Sequence, residues 1–110
     1  ARVEYLTACR YFAVEKWNLS GDYAKETTDA ARFELLIILK GKGDIRWDSM
    51  DCDYSTGDAW FLPASLGKYM VGAKAESEIL RVYVPDLMAY EQMFALRGYS
   101  EQDRRKFIFL

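Results

Sequence analysis

The sequence predicts a small all-β domain, a barrel or sandwich of short strands, with a short C-terminal helical tail. Three observations predict it. Short apolar strand patterns recur at close spacing between glycine-rich turns. The most apolar run, Arg32 to Lys40, is too short for a typical core helix and stops at Gly41-Lys42-Gly43. The stretch from Gly57 to Val71 carries two glycines and a proline between aromatic and aliphatic segments, the composition of a chain turning two tight corners.

In chain order, the first strand pattern begins about ten residues in. Tyr11 to Leu19 alternates, with Phe12 and Val14 on one face and Glu15 and Trp17 on the other. Ser20-Gly21-Asp22 breaks it, and Asp22 to Ala31 is polar and weakly periodic, which predicts a loop or frayed edge. Arg32 to Lys40 reads as a strand buried on both faces, with a helix segment as the alternative that periodicity alone leaves open. Gly43 to Trp47 reads as its hairpin partner, and Asp48 to Tyr54 as an acidic turn. Gly57 is the residue that a turn at positive φ requires, and Pro63, lacking an amide hydrogen, belongs at a strand end or edge. Ser77 to Val84 is a further strand, closed by Pro85.

From Pro85-Asp86 the pattern becomes helical, with Leu87, Tyr90 and Phe94 on one face, Met93 beside them, and Gly98 as the stop. Ser100 to Asp103 resembles a capping box ahead of a basic, partly apolar end. The expected organisation is therefore a β-domain over residues 1–84 and a helical tail over 85–110, packed on an open end of the barrel or docked on a second subunit.

A chain of 110 residues supports one core. Half of it is apolar and its formal net charge is −2, with both signs interspersed, so neither nucleic acid nor an anionic membrane is an expected partner. No apolar run approaches the ~20 residues of a membrane span. Cys9 and Cys52 have no metal-ligand spacing, and a reducing, cytoplasmic setting is the simplest expectation. The first residue is Ala1, and an excised domain is preferred over a processed chain. The absence of histidine carries the most weight, because histidine is both the usual acid–base catalyst near neutral pH and the commonest metal ligand.

The spacing of glycines and proline resembles the two sequence motifs of the cupin superfamily. In the first motif Gly21, Glu34 and Gly41 match, while Thr27 and Asp29 stand where two histidines are required. In the second, Gly57 and Pro63 match, Ser65 replaces a glycine, and Lys68 stands at the third histidine. The resemblance implies a cupin-like jelly roll whose metal site is dismantled, with Thr27, Asp29, Glu34 and Lys68 as candidate binding positions and Lys68 paired to Glu34 or Asp29. A lysine in that set repels a cation, so no metal and no catalytic residue is expected in this chain. Structural pairing or plain exposure of Lys68 is the default, with catalysis or anion binding as the minority reading. Trp17, Trp47, Trp60, Tyr69 and Tyr83 could stack on a sugar ring, although core packing is the commoner role of such residues. Asp51 and Asp53 read as solvated charge.

One family is closer still. Phe12-Ala-Val-Glu-Lys-Trp17, Phe33-Glu-Leu-Leu-Ile-Ile-Leu-Lys-Gly-Lys-Gly43 and Gly57-Asp58-Ala-Trp-Phe-Leu-Pro-Ala-Ser65 resemble, in this order, the C-terminal domain of class I mannose-6-phosphate isomerases of the bacterial type. The resemblance spans Tyr11 to Val84 and leaves the tail outside. It implies a whole enzyme that interconverts mannose 6-phosphate and fructose 6-phosphate, with zinc held by an upstream cupin domain that also carries the catalytic cleft. It also implies that this chain, by itself inactive, packs against that domain; as an isolated chain it is expected to form a homodimer through Tyr11 to Leu19 or the tail. The alternative is a self-standing, metal-free cupin-like domain that binds a small sugar or acid.

Overall fold

A computed structural model describes residues 2–9, 11–28, 32–106 and 108–109. Among these residues ten strands form two sheets. The first sheet holds β1 (Arg2–Cys9), β2 (Ala13–Leu19), β4 (Glu34–Lys40), β7 (Ala59–Leu62), β9 (Ser77–Tyr83) and β10 (Ile108–Phe109), in the order β10-β1-β2-β9-β4-β7. The second holds β3 (Tyr23–Thr27), β5 (Lys42–Trp47), β6 (Met50–Ser55) and β8 (Lys68–Ala73), in the order β3-β8-β5-β6. All pairings are antiparallel except that of β1 with β10. The two sheets close face to face as the expected all-β barrel.

Strand periodicity sorts the side chains. In β2, Ala13, Glu15, Trp17 and Leu19 alternate inward, and in β9 Ser77, Ile79 and Arg81 do the same. Leu36 and Ile38 of β4, Ile45 of β5, Tyr54 of β6, Leu62 of β7, and Tyr69 and Val71 of β8 complete one core between the sheets. Gly43 and Gly72 let β5 and β8 approach closely: a Cβ on Gly43 would meet the Gly72 carbonyl oxygen.

Four expectations are corrected. A strand, β1, already runs from Arg2, its ladder with β2 shifted in register between Tyr5 and Thr7. Part of the polar segment after Gly21 is β3, an edge strand whose exposed alternate residues explain its low apolar content. The acidic segment after Asp48 is β6, likewise at a sheet edge. The expected hairpin of β4 with β5 does not form: Gly41, at φ 106°, passes the chain from one sheet to the other. The partner of β5 is β6, joined by a turn in which Asp48 takes φ 49°.

Gly57 has φ 92°, and Pro63 directly follows β7, so both meet their expectation. Beyond β9, Asp86 caps α1 (Leu87–Leu96) by accepting the amides of Met88 and Ala89, and Gly98, at φ 92°, ends it. The α1 residues Tyr90 and Phe94 pack with Ala8, Ala13, Tyr5 and Tyr83 as a second apolar cluster. Its rings meet edge to face, Tyr5 and Phe94 at 4.8 Å. Ser100 caps α2 (Glu101–Arg104) by accepting the Asp103 amide, as the capping pattern anticipates. Beyond α2, β10 lies parallel to the outer edge of β1.

Candidate functional site

The barrel interior carries an arginine among carboxylates. Arg81 sits on β9, with Glu15 opposite on β2 and Leu36 opposite on β4; Glu34 lies one inward position further along β4. This register aims one guanidinium and two carboxylates at one point. Arg81 Nε and Nη2 donate to the two oxygens of Glu34, each at 2.8 Å, and Nη1 donates to Glu15 Oε1 at 2.9 Å. The fork of Arg81 thus grips Glu34 bidentately, the strongest geometry available to such a pair. All three residues are buried.

Aromatic donors add further hydrogen bonds to the same carboxylates. Tyr69, from the opposite sheet, donates to Glu34 Oε1 at 2.6 Å. Trp17 Nε1 donates to Glu15 Oε1 at 2.7 Å, and the Tyr83 hydroxyl to Glu15 Oε2 at 3.2 Å. The guanidinium lies 4.1 Å from the Tyr83 ring centroid, within cation–π range. Glu26 of β3 stands 3.6 Å from Arg81 Nη2. Burial works against the charge of Arg81, yet the Glu34 bond and the surrounding acidic groups overcome it and hold the guanidinium pKa above its ordinary value. Burial pushes the phenols of Tyr69 and Tyr83 well above the usual tyrosine range, and raises Glu26 against the lowering effect of Arg81.

Of the candidate positions among the described residues, Glu34 alone enters this cluster. Of the two default readings of Lys68, plain exposure and not pairing with Glu34 is what the structure has: Lys68 is exposed, and Tyr69, the next residue, takes the inward place because strand parity alternates. Thr27 also faces outward and pairs with Lys68 across the β3–β8 ladder. Asp29 lies outside the described residues. Sequence reasoning missed Arg81 and Glu15, although each interrupts an inward row of apolar residues: Trp17 and Leu19 follow Glu15, and Ile79 and Tyr83 flank Arg81.

Two clefts open beside the cluster. One, of about 290 Å³, lies between the barrel and α1, with Arg81, Glu34, Tyr83 and Tyr90 in its lining. The other, of about 400 Å³, lies at the end of the second sheet, with Thr27, Lys68, Trp47 and Tyr69 among its walls. Of the candidate stacking residues, Trp17 is core, Trp60 is half-buried against the core, and Trp47 lines the larger cleft. Asp53 pairs with Lys74 at 3.2 Å, and Asp51 lies 3.4 Å from Arg46. Cys9 and Cys52 are free thiols. Among the described residues no group of three or more acidic or thiol side chains is arranged to hold a metal ion, and no helix is long and apolar enough to cross a membrane.

Residues 2–84 match the family described as mannose-6-phosphate isomerase, cupin domain. The chain belongs to that family. Over 71 residues, 64% of the chain, it is 32% identical to mannose-6-phosphate isomerase ManA of Bacillus subtilis, and it spans only 22% of that relative's length. Solved structures agree on the fold. A cupin superfamily protein from Desulfitobacterium hafniense is 18% identical with a TM-score of 0.67, covering 77% of each chain. A cupin protein from Bacteroides fragilis is 22% identical with a TM-score of 0.60, covering 69% of this chain and 67% of its own. In this isomerase cupin domain, as the motif spacing anticipates, the barrel is kept; its centre is filled by a guanidinium.

Proposed function

We propose that the chain is the non-catalytic C-terminal cupin domain of a mannose-6-phosphate isomerase, a cytoplasmic enzyme whose zinc and catalytic cleft reside in an upstream cupin domain of the same polypeptide. The observation that carries the reading is the Arg81 cluster inside a barrel of this family. A metal ion at that point would have to displace a buried guanidinium from its carboxylates, and a cation already satisfies them. The interior has no histidine, its Glu15 and Glu34 carboxylates are held by Arg81, and its phenols are held neutral by burial, which leaves it poorly equipped to move a proton between carbons.

The domain's contribution is then to pack. On the outer face of the first sheet Phe61, Leu35, Val82 and Val14 stand side by side across β7, β4, β9 and β2. Phe61 is 61% exposed, and Phe33, itself exposed, stacks on it at 5.2 Å. A row of apolar side chains on this scale marks a packing surface. The matched relative is several times longer than this chain, so the upstream domain is the occupant this reading assigns to the row.

The test is an isomerase assay with mannose 6-phosphate on the purified chain and on its full-length parent, together with metal analysis of both. The reading expects turnover and about one equivalent of zinc in the parent, and neither in the chain. Turnover by the chain, or stoichiometric metal lost with Glu34→Gln, would overturn it.

A further inference from the structure

The first sheet treats its two edges differently. At one end β10, from the tail, lies along β1; at the other, β7 has β4 on one side and, among the described residues, no strand on the other. The ladder shows which backbone groups this leaves over. The Ile38 amide donates to the Asp58 carbonyl and the Ile38 carbonyl accepts the Gly57 amide, so the next hydrogen-bonded pair along the ladder is Leu36 with Trp60. The amides of Ala59 and Phe61, at the alternate positions, therefore point away from β4 into the open side.

An exposed edge is ordinarily blunted against other strands. Here β3 carries Lys25 and Glu26, and β6 carries Asp51 and Asp53. By contrast β7 reads Ala-Trp-Phe-Leu, with neither charge nor proline inside it. Phe61 is exposed on its outer face, and on the inner face Trp60 Nε1 is buried with no acceptor among the described residues. The apolar row of the outer sheet face ends at Phe61, so a strand added to β7 prolongs that row. The family match, residues 2–84, includes β7 and stops short of the tail, and the chain spans 22% of the matched isomerase. An edge left bare inside the family domain, when most of the relative's length lies outside that domain, finds its partner in the remainder. We propose that an extended segment of the upstream part of the same polypeptide adds to β7 as a further strand of the first sheet, accepting the amides of Ala59 and Phe61 and setting an apolar side chain beside Phe61. This rests on the reading above, that an upstream domain packs on the chain, and deepens it: the two are joined by a continuous sheet as well as by a covered face.

Hydrogen exchange resolved to single amides tests the strand, on the full-length parent and on the 110-residue chain diluted to monomer. The amides of Ala59 and Phe61 are expected to exchange at least about tenfold more slowly in the parent, the protection of one added hydrogen bond. Packing on the sheet face alone leaves edge amides in water and gives no such difference. Ala59→Pro removes an outward donor and no bond to β4, so it should lower the melting temperature of the parent by about 2–4 °C and leave that of the chain unchanged. Ala59→Val, which keeps the amide, should leave both unchanged. Should Ala59→Pro unfold the chain by itself, the exchange comparison between the two wild-type proteins decides. Equal exchange in parent and chain, or a parent indifferent to Ala59→Pro, would overturn the proposal. A parent with turnover and zinc but open β7 amides refutes this strand alone; a parent without turnover refutes the earlier reading, and the exchange result still judges the strand.

Discussion

Arg81 holds two carboxylates that lie far from it in the chain, Glu15 at a separation of 66 residues and Glu34 at 47. Replacing it with methionine keeps much of the volume but strands both acids in the interior. The expected loss for Arg81→Met is about 3–5 kcal/mol, the cost of breaking a buried ion pair from one side. Urea unfolding measures it, and the double variant with Glu34→Gln should be more stable than the single, since it removes one of the stranded charges. Equal stability of Arg81→Met and the parent chain would show that the cluster is solvated. The phenols make a second expectation at this scale. Burial pushes Tyr90 up to about 12, and Tyr69 and Tyr83 further. A raised phenol keeps its proton in the folded chain when the unfolded chain, near its ordinary value of about 10, has lost it. Unfolding then releases protons, so this contribution to stability is complete below pH ~10 and drains away as pH rises toward 12 and beyond. Thermal melts across that range should fall steadily, with part of the tyrosinate absorbance appearing only on unfolding; ionisation of all eight tyrosines before unfolding would contradict the burial argument.

At the scale of elements, α1 decides whether the open side of the first sheet is covered. Its N-terminus is held by Asp86, but its hold on the barrel is aromatic: Phe94 and Tyr90 both meet the Tyr5 ring of β1 edge to face, with centroids at 4.8 and 6.3 Å. Phe94 is 1% exposed, so Phe94→Ala removes a fully buried ring and leaves a cavity. The expected cost is about 3–5 kcal/mol if the tail and barrel unfold together. A much smaller loss, with α1 amides exchanging freely while β2 and β9 stay protected, would mean that the tail detaches as its own unit. The tail was legible as a helix because Asp86 and Gly98 punctuate it, and α2 because Ser100 precedes Asp103. Edge strands β3 and β6 were not legible, because an edge strand needs no apolar run to hold its place; half of its ladder and one face stay in water.

At the scale of the molecule, the isolated chain presents the apolar row of Phe61, Leu35, Val82 and Val14 without the neighbour assigned to it. A second copy is the nearest substitute, and a two-fold contact is the commonest form for small homo-oligomers. Of the elements expected to mediate it, β2 is paired on both sides by β1 and β9, and Tyr90 and Phe94 of the tail are turned into the barrel. The dimer is therefore expected through the outer sheet face, at micromolar concentration. Phe61→Lys should convert it to a monomer without loss of folding, since this side chain already faces solvent. Sedimentation across a dilution series tests both statements, and a wild-type chain that stays monomeric at high concentration would sink them.

By itself the sequence determined the all-β class, the helical tail, the corners at Gly57 and Pro63, and the family. These are local properties: a glycine at positive φ, a proline that cannot donate, or an ordered set of motifs is visible without knowing what lies across the barrel. Glu34 was legible by spacing for the same reason. Only the tertiary structure decided that Gly41 carries the chain from one sheet to the other, that Tyr69 and not Lys68 turns inward, and that Arg81 meets Glu15 and Glu34. Alternation along a strand says that successive residues face opposite ways, but register and partner fix which of them is inside. Burial then decides the chemistry, because two carboxylates taken out of water need a cation between them, and here the barrel brings an arginine to that place.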